Sequence, residues 1–122
     1  MVLCTMGLLD YFKQPDLLVN LSPEDFEKKM KEENTKPIDV RTTMEYRHGH
    51  IQGVELHPLS SIKDLAPKLD KNTHYMLVCA TGHRSRAASA ILIRNGVTSV
   101  SHLEGGMRAW HSSSKEVVRE KQ

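Results

Sequence analysis

The chain has 122 residues, 26% of them charged and 39% hydrophobic, with a formal net charge of +2. This is the size of one domain with a single core, and the composition suits a soluble globular protein rather than a disordered one. So small a positive excess excludes a nucleic-acid surface built on a concentrated basic face, and no apolar run approaches the roughly 20 residues that span a bilayer. Neither nucleic acid nor a membrane is therefore expected as a partner. The two cysteines, Cys4 and Cys79, are too few for a disulfide framework and form no metal-ligand pattern. No metal or organic cofactor is expected. Sparse cysteines fit a reducing compartment. The start, Met1 to Phe12, lacks a basic leading segment and a cleavage site, which makes the cytoplasm the expected location.

Short apolar runs alternate with helical stretches, which predicts an α/β domain with a mostly parallel sheet. Leu17-Leu18-Val19 reads as the first strand. A helix follows, capped by Ser22, with Pro23 in first position and Glu24 and Asp25 at the positive end of its dipole; it is expected to run to about Glu33. Pro37 to Val40 reads as a second strand. Thr42 or Thr43 can cap a short helix through Tyr46, ended by Gly49. Val54 to Leu56 is a weak third strand, and Ser60 to Leu69 holds one or two helical turns interrupted at Pro67. Tyr75 to Val78 is a continuous apolar run of the kind buried on both faces. Ser85 to Asn95 is the clearest helix, with Ala88, Ile91 and Leu92 as its apolar stripe and Gly96 beyond its end. A fifth strand is expected near Ser99 to Leu103, then a turn at Gly105-Gly106 and a last helix that starts over Met107 to Trp110. Beyond His111 the chain is polar and is expected to fray.

The informative stretch is Val78-Cys79-Ala80-Thr81-Gly82-His83-Arg84-Ser85. There a buried strand gives way to a helix, with one cysteine at the turn. Ligands of open α/β sheets bind beyond the carboxyl ends of the strands, and helix N-termini attract anions through unpaired N–H groups. Gly82 supplies the backbone freedom for a tight loop whose amides can point inward. A thiolate placed there gains from those dipoles and from Arg84, so the pattern predicts a nucleophile in an anion cradle. A lone cysteine after a strand is more often a small buried hydrophobe, and it is the company of Gly82, Arg84 and a helix start that favours chemistry. Ser85 itself reads as a helix cap.

Three segments, in this order, resemble the rhodanese family. The first is Asp39-Val40-Arg41 with Glu45-Tyr46 and Gly49-His50-Ile51-Gln52-Gly53. The second is the loop from Cys79 to Ser85, and the third is Leu103-Glu104-Gly105-Gly106 with Trp110. The resemblance covers Leu17 to Trp110. It implies a three-layer α/β/α domain around a five-stranded parallel sheet of order 3-2-4-5-1. It divides the chain into an N-terminal extension (1–16), a rhodanese-like domain (17–111) and a polar tail (112–122). It implies a ping-pong sulfurtransferase in which Cys79 takes sulfur from a small anion such as thiosulfate. The Cys79 persulfide then passes that sulfur to a thiol, cyanide or a protein acceptor. Ala80, Thr81, Gly82, His83, Arg84 and Ser85 would form the persulfide-binding loop. Asp39, Arg41 and Glu45 would support it, with Arg41 paired to Glu45 or its neighbours. His50 would hydrogen-bond backbone, and Trp110 would pin the last helix. His83 would face solvent or substrate.

One departure bears on the donor. Some family members that favour thiosulfate carry basic residues directly after the cysteine, where this chain has Ala80 and Thr81. A thiol persulfide or protein donor is then an alternative source. Two other classes stay open. Cysteine phosphatases and arsenate reductases resemble this fold, but place five residues between cysteine and arginine, where this chain has Ala80, Thr81, Gly82 and His83. Regulatory modules of the fold have lost the cysteine, which is present here. A redox sensor with Cys4 as resolving partner, and a partner surface on Leu8, Leu9 and Phe12, are further readings of the amino-terminal segment.

Overall fold

The computed structural model describes residues 15–120, so Cys4 and the Leu8, Leu9, Phe12 stripe lie outside the described residues. Strand β1 (Leu18–Leu21) leads into helix α1 (Pro23–Lys29). The Ser22 hydroxyl accepts the Asp25 N–H at 3.1 Å, which satisfies one orphan donor of the first turn. The helix ends before Glu33. Lys31 and Glu32 donate back only three residues, to the carbonyls of Lys28 and Lys29, and Asn34 (φ +61°) then turns the chain into β2 (Thr35–Asp39). Asparagine is among the few residues that tolerate this left-handed backbone.

Helix α2 (Thr43–His48) begins with a reciprocal capping box between Thr42 and Glu45. The two-residue β3 (Glu55–Leu56) precedes α3 (Leu59–Leu65), which tightens at Pro67 into a 3₁₀ turn (Ala66–Lys68). Then follow β4 (His74–Val78), α4 (His83–Arg94), β5 (Val100–Leu103) and α5 (Gly106–Ser112). All strand pairs are parallel and the order is β1-β5-β4-β2-β3, which is the expected 3-2-4-5-1 read from the other edge.

Strand parity sorts the core into two layers. Tyr75, Leu77 and Cys79 point to one face of the sheet, where Ile62 of α3 and Ala88 and Leu92 of α4 cover them. Met76 and Val78 point to the other face, beneath Phe26 of α1 and Met107 and Trp110 of α5. Burying a residue such as Phe26, which is fully enclosed, contributes about 1.5–3 kcal/mol.

As far as Glu120 the polar tail does not fray. Val118 exchanges two backbone hydrogen bonds with His50, at 2.9 and 3.0 Å, and Val117 packs into the second core layer. The Trp110 indole N–H donates to the Glu116 carbonyl at 2.9 Å, so the tail caps a buried polar atom that would otherwise lack a partner. Among the described residues no helix is long and apolar enough to cross a membrane.

Candidate active site

Parity places Cys79 on the α4 side of the sheet, one residue past the end of β4. Its side chain is buried, 1% exposed. The chain then turns through Gly82, whose φ of +107° suits glycine, and enters α4 at His83. The Gly82 N–H points back at the cysteine and donates to Sγ at 2.9 Å. The helix starts two residues earlier than Ser85, so Ser85 is not its cap. Gly82 holds that position, and the Ser85 hydroxyl turns inward from the first turn, 3.6 Å from Cys79 Sγ and 2.9 Å from the Gly82 carbonyl.

The Gly105-Gly106 pair fixes the other side of the loop. Met107 N–H donates to the Cys79 carbonyl at 2.8 Å and Arg108 N–H to the Ala80 carbonyl at 3.1 Å. These bonds hold both carbonyls against α5 and away from the sulfur. They require a close approach: a Cβ on Gly106 (φ +59°) would lie 2.4 Å from the Cys79 oxygen and 2.5 Å from the Ala80 carbonyl carbon. Thr81 and His83 are exposed at the mouth, where the Thr81 hydroxyl meets the His83 ring at 3.0 Å.

The three polar residues of the first motif separate into two groups. Arg41 does not pair with Glu45. It forks onto both oxygens of Asp39 at 2.8–3.1 Å and donates to the Gly49 carbonyl at 2.8 Å. This pair is buried and ties the end of β2 to the end of α2, a role of position rather than of contact with sulfur. His50 likewise serves the backbone, its Nδ1 lying 2.8 Å from the Tyr46 carbonyl.

Glu45 instead grips Arg84 through two bonds of 2.7 and 2.8 Å. Arg84 holds the Glu45 carboxyl down to about 2, with help from the Thr42 backbone and hydroxyl. In return Glu45 raises the pKa of Arg84, with lesser contributions from the charges of Cys79 and Asp39. The pair is about one-third exposed and stands beside the loop, so much of the guanidinium charge near the sulfur is already matched.

Two further residues reach the site and were not singled out by sequence. His102 of β5 is 2% exposed, with Nδ1 2.7 Å from Ser85 Oγ and Nε2 2.7 Å from Asn20 Oδ1 of β1. Burial, and then the charge of Arg86, push its pKa down to about 4. The signal for both was register: Asn20 pairs with His102, which pairs with Leu77, and alternation puts Cys79 on the same face as Leu77. Among the described residues no cluster could hold a metal ion.

The rhodanese-like domain family matches residues 22–113. The chain is 29% identical over 97 residues to the thiosulfate sulfurtransferase GlpE of Pseudomonas paraeruginosa, covering 80% of this chain and 87% of that one. It is 33% identical over 91 residues to YrkF of Bacillus subtilis, named a candidate sulfur carrier protein, covering 74% of this chain but only 49% of that one. This chain therefore spans about half the length of YrkF. A rhodanese-related protein of Thermoplasma volcanium superposes with a TM-score of 0.74 at 27% identity, over 84% of this chain and 99% of the other. By sequence match, sheet order and fold, the chain belongs to the rhodanese-like domain family.

Proposed function

We propose that this chain is a sulfurtransferase that carries sulfane sulfur as a persulfide on Cys79. The observation that carries the proposal is the Gly82 N–H aimed at Sγ, 2.9 Å away, at the start of a 12-residue helix. A backbone donor and a helix N-terminus both favour a sulfur anion over a neutral thiol. The similarity to GlpE supports the same reaction class.

The reaction is two displacements at sulfur. The Cys79 thiolate attacks the outer sulfur of thiosulfate; the new S–S bond forms as the bond to the sulfonate sulfur breaks, and its electron pair leaves with sulfite. An acceptor thiolate or cyanide then attacks the outer sulfur of the persulfide, and the Cys79 thiolate departs with the electron pair. A persulfide donor enters the first step in the same way, with a thiolate as the leaving group. The charge balance favours this second donor. The sulfur is followed by neutral Ala80 and Thr81, and Arg84 is held by Glu45, so a dianion finds little free positive charge. A reducing cytoplasm suits a carrier that must regenerate a free thiol.

Four residues separate Cys79 from Arg84, and Arg84 turns to Glu45, an arrangement that favours sulfur over a tetrahedral phosphate ester. A Rhodopseudomonas palustris structure described as a possible tyrosine phosphatase superposes with a TM-score of 0.79, but at 21% identity this likeness shows the fold alone. The test is intact-protein mass after incubation with thiosulfate and, separately, with a thiol persulfide. Gain of one sulfur atom, reversed by reductant and absent in Cys79→Ser, is the expected result. No gain from either donor overturns the proposal.

A further inference from the structure

Cys79, Ser85, His102 and Asn20 form an unbroken polar row under the N-terminus of α4. Its steps are 3.6 Å from Sγ to Ser85 Oγ, 2.7 Å from Oγ to His102 Nδ1, and 2.7 Å from His102 Nε2 to Asn20 Oδ1. The first three side chains are buried, and Asn20 stands at the surface. Three neighbouring strands and one helix converge on a row that the backbone does not need. We infer that His102 is a positioning residue for Cys79: acting through the Ser85 hydroxyl, it reverses the polarity of this row when the sulfur loses its proton.

The bookkeeping follows from the donor and acceptor capacity of each group. With Cys79 as a thiol, S–H donates to Ser85 Oγ, the Ser85 hydroxyl donates to His102 Nδ1, and Nε2–H donates to Asn20 Oδ1. Loss of the thiol proton turns every step around. The sulfur's proton passes to Ser85, the Ser85 proton to Nδ1, and the Nε2 proton to water at the Asn20 end. His102 then donates from Nδ1 to Ser85, whose hydroxyl donates to the sulfur anion. Asn20, its amide rotated, donates to Nε2. One proton has moved from sulfur to water, and the imidazole is neutral before and after.

A neutral ring is what this environment maintains, since burial and Arg86 oppose a charged one. The row thus supplies a second donor to the sulfur anion, in addition to the Gly82 N–H, without an imidazolium. The other groups acting here are accounted for. Arg86, on the same helix as Ser85, is the charge felt by His102, Arg84 is held by Glu45, and β1 contributes the uncharged Asn20. The Gly82 carbonyl, 2.9 Å from Ser85 Oγ, is the competing place for the hydroxyl proton. With Nδ1–H on the Ser85 oxygen, the hydroxyl proton is left to choose between that carbonyl and the sulfur, and the negative charge on the sulfur favours the sulfur.

The inference deepens the sulfur-carrier proposal but is tested without sulfur. The rate of Cys79 alkylation by iodoacetamide, followed by mass across pH 5–10, reads the fraction of thiolate. Ser85→Ala and His102→Phe should each move the midpoint of that profile up by about one pH unit, a ten-fold slower reaction below the midpoint. Ser85→Ala/His102→Phe should move it no further than either alone. His102→Asn, whose amide N–H can replace Nδ1–H, should stay near the parent midpoint. Thermal melting selects the folded variants, and Ser85→Ala, which loses only a hydroxyl, keeps the test valid if His102→Phe does not fold. Unchanged midpoints, additive shifts, or His102→Asn behaving as His102→Phe would each overturn the inference. If the shifts appear but no donor loads sulfur, the row stands and the sulfurtransferase proposal fails; sulfur loading with unmoved midpoints gives the reverse.

Discussion

Glu45 and Arg84 lie 39 residues apart in sequence and meet through a two-bond fork beside the reactive loop. The pair links the first motif to the second and sets the charge offered to an incoming donor. Glu45→Gln should free much of the Arg84 charge. We expect the KM for thiosulfate to fall about five-fold, with little change for an uncharged persulfide. Steady-state kinetics with both donors checks this; equal effects on the two would remove Glu45 from donor selection.

Glu45 and His102 also leave separate marks on stability as pH falls. Folding lowers the Glu45 carboxyl from 4.5 to about 2, so its contribution is complete above about pH 5 and is lost as pH drops toward 2. Folding lowers His102 from 6.5 to about 4, so its contribution is complete above about pH 7 and is lost as pH drops through 4. For buried His102 that gap is worth up to about 3 kcal/mol. Denaturation of His102→Asn between pH 7 and 4 should therefore show a flatter decline than the parent. Glu45→Gln should flatten only the region below about pH 5.

Much of this was legible beforehand because local rules carried it. Ser22 with Pro23, and a threonine at 42 or 43, marked helix starts through the backbone's own hydrogen-bonding needs, and the apolar run at Tyr75–Val78 marked a strand buried on both faces. The reactive loop was legible for the same reason, since a strand, a cysteine, a glycine and a helix start follow one another in sequence. What escaped was set by tertiary geometry. Arg41 chose Asp39 over Glu45 because Arg84, from a distant helix, already occupied the Glu45 carboxylate. Ser85 resembled a cap until the helix began two residues earlier and turned its hydroxyl inward. His102 and Asn20 carry no motif; only strand register brings them to Cys79.

Gly106 is the position where one added carbon should cost most. Its Cβ would strike the Cys79 and Ala80 backbone at 2.4–2.6 Å, and its φ of +59° adds strain for any L-residue. Flexible side chains cannot yield here, because the obstacle is main chain. Gly106→Ala should destabilise the fold by on the order of 2–4 kcal/mol and slow Cys79 alkylation in whatever remains folded, as the loop carbonyls lose their α5 donors. Chemical denaturation together with the alkylation assay tests both parts. A variant as stable as the parent would show that the loop and α5 can separate freely.

The tail gives a contrasting prediction, in which stability and chemistry part. Residues 114–120 cross the sheet face opposite Cys79, where Val117 joins the core and Glu116 accepts the Trp110 N–H. Removing residues 114–122 exposes Trp110 and breaks the His50–Val118 bridge. The expected loss is about 1–3 kcal/mol, accompanied by a red shift of tryptophan fluorescence. Val117→Asp should reproduce most of the loss with the chain kept at full length, because it places an unpaired carboxylate against apolar surface. The Cys79 loop hangs from β4 and α4 on the other side, and its bonds to α5 come from the first turn of that helix, at Met107 and Arg108, rather than from the Trp110 end that the tail covers. Sulfur loading per folded molecule should therefore match the parent in both variants. A loading defect at full folding would mean that the strap reaches the loop through His50 and the Arg41–Gly49 bond, and would move the tail from scaffold to site.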